Sequence, residues 1–124
     1  MAGLKAGTAA STFPLIFGYL IPPNLWPVNL IDNPLTTHFI HRWLAFGVLA
    51  LIIALAYVVV KTACPRAVCR GVAILLGLAC LQIALGISVI IWHVPLWPAL
   101  AHQANGLAMF AVSLFVIRQL MNPV

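Results

Sequence analysis

Four histidines, His38, His41, His93 and His102, are the residues of this 124-residue chain best suited to chemistry. Imidazole is the commonest metal ligand among side chains, and two neutral imidazoles on facing helices can hold one iron from opposite sides. Paired-carboxylate acid–base work is excluded, because Asp32 is the only acid. The chain carries no Ser/His/Asp set and no phosphate-binding glycine loop. Cys64 and Cys69 bracket the segment CPRAVC, but two thiolates alone do not complete a zinc site.

The elements that must position these histidines follow from composition. With 65% hydrophobic and 6% charged residues, the chain lies far from soluble domains, in which roughly a quarter of residues are charged. Lipid is its solvent. Three apolar runs predict spans over residues 37–60, 71–92 and 99–118. The first of them rises about 36 Å as a helix, enough to cross a hydrocarbon core of about 30 Å with some tilt. Residues 1–36 hold Pro22, Pro23, Pro27 and Pro34, which break a spanning helix, so they form a loop. Its aromatic and apolar content (Phe13, Phe17, Tyr19, Leu25, Trp26) places this loop at the membrane surface or across the helix ends. The domain scheme is therefore an outer-face interfacial loop, 1–36, and a transmembrane helical domain, 37–124. The opening MAGLKAGTAASTFP has no apolar run of signal-peptide type.

The formal charge of +5 is scattered over Lys5, Arg42, Lys61, Arg66, Arg70 and Arg118, with no basic stripe for nucleic acid. It reads instead as topology. Lys61, Arg66, Arg70 and Arg118 fall on one face and Lys5 and Arg42 on the other, which puts the 62–70 loop on the cytoplasmic or matrix side. All four histidines and all four tryptophans, Trp26, Trp43, Trp92 and Trp97, then share the outer face.

Within these spans His41 is the fifth residue and His102 the fourth, so their depths match to about one residue rise, roughly 1.5 Å. A bis-histidine heme needs such a pair, an apolar slot, small residues to admit the ring and a cation for its propionates. Ala45, Ala101 and Gly106 lie near the histidines in helical spacing, and Arg42 stands beside His41 at the outer rim. Spacing alone leaves open the alternative that interfacial histidines bind nothing. Ionisable residues inside spans are more often functional, which favours His41 and His102 over His38 and His93 at the helix ends. Gln82, near the middle of the second span, needs an amide partner on another helix, and Cys80 and Ala84 form a small-xxx-small pair suited to close packing.

The segments AGLKAGTAASTFPL, NPLTTHFIHRWLA and LQIALGISVIIWHVPLWPALAHQANGLAMF resemble the C-terminal half of heme A synthases, and they are spread over residues 2–110 of the chain. The resemblance implies an oxidoreductase that converts a methyl group of heme O to the formyl group of heme A for cytochrome oxidase. It implies a fold of two similar four-helix bundles, the second of which holds heme b. The family's HR and HQ pairs match His41-Arg42 and His102-Gln103, which makes His41 and His102 the expected iron ligands and Arg42 a cofactor-binding residue. Thr37 stands where substrate-side bundles carry a glutamate, so this half resembles the cofactor half. His38 stands where the family carries glutamine.

Ligation from both faces of a porphyrin holds the first and third spans farther apart than the roughly 8–10 Å of direct helix packing. A fourth helix is then needed to close the slot. The expected fold is thus an all-α integral membrane protein, three transmembrane helices of an incomplete four-helix heme-binding bundle. It resides in a bacterial cytoplasmic membrane or the mitochondrial inner membrane. The missing N-terminal half, a complementing bundle or a second copy in a homo-oligomer would complete it and hold the heme O substrate. The isolated chain is expected to be inactive, because oxidising one heme with the help of another needs two sites. The alternative is a non-catalytic membrane fragment or a small heme-binding or structural subunit of a respiratory assembly.

Overall fold

The computed structural model describes residues 10–25 and 33–121, and these build three long helices with a folded segment before them. Lys5, Trp26 and Asp32, all used in the sequence reading, lie outside the described residues.

Helix α1 spans Pro34–Lys61, 28 residues. It starts three residues before the expected 37. Asn33 is the reason, for its Oδ1 accepts the amides of Leu35 at 3.0 Å and Thr36 at 3.4 Å. Pro34, read as a breaker, occupies the first helical position, where a missing N–H leaves no bond unmade. At the other end Lys61 complements the C-terminal dipole, and the Thr62 hydroxyl donates to the Val58 carbonyl at 2.9 Å.

Helix α2 spans Arg66–Ile91, 26 residues, beginning directly after Pro65 rather than at the expected 71. The apolar run marks only the part of the helix within hydrocarbon, and the first turns continue into the headgroup region, where Arg66 and Arg70 are favourable. Its C-terminus closes as a Schellman motif: the Val94 amide donates to Val89 O at 2.7 Å and the His93 amide to Ile90 O at 3.2 Å. Both residues take positive φ, 59° at His93 and 62° at Val94. Helix α3 then spans Leu96–Met121, 26 residues, three earlier than the expected 99. Pro98 sits in its first turn, where amides lack intrahelical acceptors in any case. At 1.5 Å per residue all three helices exceed about 38 Å, and among the described residues these three are long and apolar enough to cross a membrane.

Helix α2 packs on both neighbours, more extensively on α3 than on α1. The packing is concentrated at one end. Val59, Val68, Val72 and Val116 form one buried cluster and Ile52, Leu75 and Ala79 a second, with Val112 against both. Lys61, Arg66, Arg70 and Arg118 lie at this packed end. Gly71 permits the contact, because a Cβ there would stand 2.6 Å from Val116 Cγ2. Most other large apolar side chains face outward, as a lipid-solvated bundle requires; Val60 is 81% exposed. Among the described residues the tryptophans Trp43, Trp92 and Trp97 are all exposed at the opposite end.

The segment 10–25 lies on the outer part of α1. A tight turn through Phe17 and Gly18 pairs Ile16 with Tyr19 through two 3.0 Å bonds. The Thr12 hydroxyl accepts the Phe17 amide at 3.0 Å and donates to Leu15 O at 2.7 Å. Ala10, Ile16 and Leu25 are buried, so this piece is a packed strap and not a loose tail.

Candidate cofactor site

Beyond the two core clusters the helices leave a cavity of about 360 Å³. Its walls are Ala45 and Phe46 of α1, Ile83, Gly86 and Ile87 of α2, and Ala99 of α3, with Phe13 of the strap at one side. That volume falls within the usual range for small-molecule sites, about 300–1,000 Å³. His41 and His102 face each other across this space, their ring centroids 6.2 Å apart and their planes at 66°. Both α1 and α3 begin three residues earlier than expected, so the depth match between the two histidines is unchanged. His41 is therefore the eighth residue of α1 and His102 the seventh of α3.

The spacing has a chemical meaning. A metal bound on both sides by imidazole, with metal–nitrogen bonds of about 2.0–2.1 Å and about 1.2 Å from nitrogen to ring centre, separates the two centroids by about 6.4 Å. The rings stand within a few tenths of an ångström of that separation. Among the described residues no three His, Cys, Asp or Glu side chains gather to hold a bare ion. Two ligands suit a metal that brings its own equatorial donors, as the iron of a porphyrin does.

His102 is held from two directions by one residue of α2. Its Nδ1 donates to the Gln82 backbone carbonyl at 3.1 Å, and its Nε2 lies 3.2 Å from the Gln82 side-chain nitrogen. Gln82 is fixed in turn by Asn105, whose Nδ2 donates to Gln82 Oε1 at 2.7 Å and to Leu78 O at 2.9 Å. The partner expected for the Gln82 amide on another helix is thus found on α3. Gly86 lets the imidazole lie against α2, since a Cβ there would meet His102 Cε1 at 3.2 Å.

Arg42, expected beside His41 at the outer rim, is held by the strap. It is only 9% exposed, and its Nη1 donates to Pro14 O at 3.0 Å and its Nη2 to Thr12 O at 2.9 Å. Nη2 also lies 3.0 Å from His38 Nε2, which must accept because guanidinium only donates. The Phe13 ring lies 5.6 Å from the guanidinium carbon. The Arg42 Nε is buried with no hydrogen-bond partner among the described residues, and Arg42 still lines the cavity. A buried cation without a carboxylate among the described residues is unfavourable until an anionic group reaches it.

The remaining candidates separate clearly. His38 is buried beside Arg42 and lines the cavity, whereas His93 is exposed in the α2–α3 turn and lies off it. Ala45 and Gln103 line the cavity, but Ala101 is exposed on the outside of α3, and Gly106 packs against the Gln82 amide. Sequence reasoning missed Gly86, Asn105 and the Thr12–Pro14 carbonyls. The only available signal was Asn105 itself, an amide within an apolar span that had to find a partner.

The profile of a family described as cytochrome oxidase assembly protein matches residues 1–114. A protein named heme A synthase from Nitrosospira multiformis is 38% identical over 97% of this chain and 35% of its own length. Proteins of the same name from Brucella suis and from a Chelativorans species are each 39% identical, over 90% and 86% of this chain and 32% and 31% of their own lengths. The chain spans about a third of the length of these curated relatives. No solved structure matches it.

Proposed function

Because this chain belongs to the cytochrome oxidase assembly protein family, we propose that it is the cofactor-holding part of a heme A synthase, binding heme b between His41 and His102. The observation that carries this reading is the 6.2 Å separation of the two imidazoles across an apolar cavity. A bound heme supplies one-electron chemistry at its iron, with a potential set by axial ligands and surroundings. The chain's own residues orient and insulate it. The Nδ1–H bond from His102 to the Gln82 carbonyl selects the tautomer whose Nε2 lone pair can ligate. Phe46, Ile83 and Ile87 keep the slot dry, and Arg42 offers a buried positive charge and an unpartnered Nε to a propionate. Oxidation of heme O to heme A is assigned to a larger assembly in which a complementing bundle or a second copy holds the substrate. The 124-residue chain alone is inactive in this reading.

Purification in detergent with added hemin tests the proposal. A Soret band with reduced b-type α and β bands is expected, lost in His41→Ala and in His102→Ala. A folded wild-type protein that stays colourless refutes it.

A further inference from the structure

Two backbone carbonyls one turn apart on α2, those of Leu78 and Gln82, fix the polarity of every group around His102. A carbonyl only accepts, so His102 Nδ1, 3.1 Å from Gln82 O, carries the proton, and Nε2 presents its lone pair. By the same logic the nitrogen of the Asn105 amide faces Leu78 O, and it also donates to Gln82 Oε1 at 2.7 Å. With its oxygen engaged there, the Gln82 amide turns its N–H group toward His102 Nε2 at 3.2 Å. One side chain therefore occupies the nitrogen that would bind iron.

We propose that the Gln82 carboxamide caps His102 Nε2 in the ligand-free chain and that heme binds by displacing it. The bond from Nδ1–H to the Gln82 backbone oxygen stays in place and holds the ring. This rests on the heme-binding reading above and assigns Gln82 and Asn105 as positioning residues within it. The physical case is competition. In a dry cavity an uncovered imidazole lone pair is unfavourable, so the amide stabilises the empty site. The same bond must break before iron can bind, and apparent affinity is scaled down to the fraction of molecules left uncapped. Gly106 accommodates the arrangement, since a Cβ there would stand 3.4 Å from the Gln82 amide nitrogen. The backbone bond to Nδ1 is independent of the side chain at position 82, so removing the cap leaves the ring's tautomer and orientation intact.

The test uses the full chain in detergent, stripped of heme and titrated with hemin, as wild type, Gln82→Met and His102→Ala. Methionine keeps the length of glutamine and removes the donor. Gln82→Met is expected to bind hemin about three- to tenfold more tightly and to associate faster, the scale of one neutral hydrogen bond. Its heme-free form should unfold at lower temperature, because Asn105 and His102 each lose a partner. A purely structural residue would lower affinity and stability together, and that result, or unchanged affinity, overturns the cap. If Gln82→Met does not fold, ¹⁵N NMR of the heme-free wild type decides: a protonated Nδ1 with a hydrogen-bonded Nε2 is expected, and a protonated Nε2 overturns the proposal. Absence of a Soret band in wild type refutes the heme reading itself and the cap with it. A band that survives His102→Ala keeps a heme site but removes the role given to Gln82.

Discussion

Three glycines of α2 face three different surroundings, and substituting each with alanine should give three different outcomes. A Cβ at Gly77 meets nothing within 4 Å, one at Gly86 stands 3.2 Å from His102 Cε1, and one at Gly71 stands 2.6 Å from Val116 Cγ2. At Gly77 only the backbone entropy changes, so Gly77→Ala should stabilise by about 0.5–1 kcal/mol. At Gly71 the same gain is opposed by overpacking, which costs about 1–3 kcal/mol. Val116 is 3% exposed and boxed in by Val68 and Val72, so it has little room to withdraw. The overpacking cost then lies in the upper part of its range, and Gly71→Ala should destabilise by roughly 1–2 kcal/mol once the backbone gain is subtracted. At Gly86 the required shift is small and the imidazole can pivot, so stability stays near wild type. The pivot strains the 3.1 Å bond to the Gln82 carbonyl, and hemin affinity should fall by up to about tenfold. Thermal unfolding by circular dichroism in micelles, with hemin titration of the same samples, reads all three. If Gly71→Ala is as stable as Gly77→Ala, or Gly86→Ala binds hemin like wild type, the packing argument fails.

Other outcomes follow from single features. His93 holds φ of 59° at the residue closing α2, so His93→Gly should raise stability by about 0.5–1 kcal/mol in the same unfolding assay, with the Soret band unchanged. Arg42→Met removes the donors that reach Thr12 O and Pro14 O, so limited proteolysis should cut within 10–25 faster than in wild type, and hemin affinity should drop; equal resistance would contradict the strap's dependence on Arg42. Cys64 and Cys69 sit at the positively charged end, so a membrane-impermeant thiol reagent applied outside intact cells should leave them unlabelled, and efficient labelling would invert the topology.

The three helices were legible because each carries an uninterrupted apolar run longer than a bilayer requires, a signal that survives ignorance of packing. Their ends were not read correctly, since hydropathy marks the hydrocarbon and not the helix. Asn33-Pro34 carries the missing information, an N-cap followed by proline at the first helical position, where proline starts a helix and does not break it. The depth match of His41 and His102 survived because both helix starts moved by the same three residues. Contacts that depend on register between chains of residues far apart left no trace in spacing. Asn105 meets Gln82 across 23 positions and Arg42 meets Thr12 across 30, and only packing decides such pairs.

The cores and the cavity occupy opposite ends of the bundle, and this makes the molecule mechanically a pair of forceps. The joint is the valine cluster where all three helices meet, and the jaws are the outer parts of α1 and α3. Because α2 grips α3 more extensively than α1, α1 is the jaw that gives. Spreading that jaw would widen the cavity without loosening the joint. Hydrogen exchange should then slow on loading only in the outer turns of the three helices, while amides near Val59, Val68 and Val116 exchange at the same rate whether the jaws are full or empty.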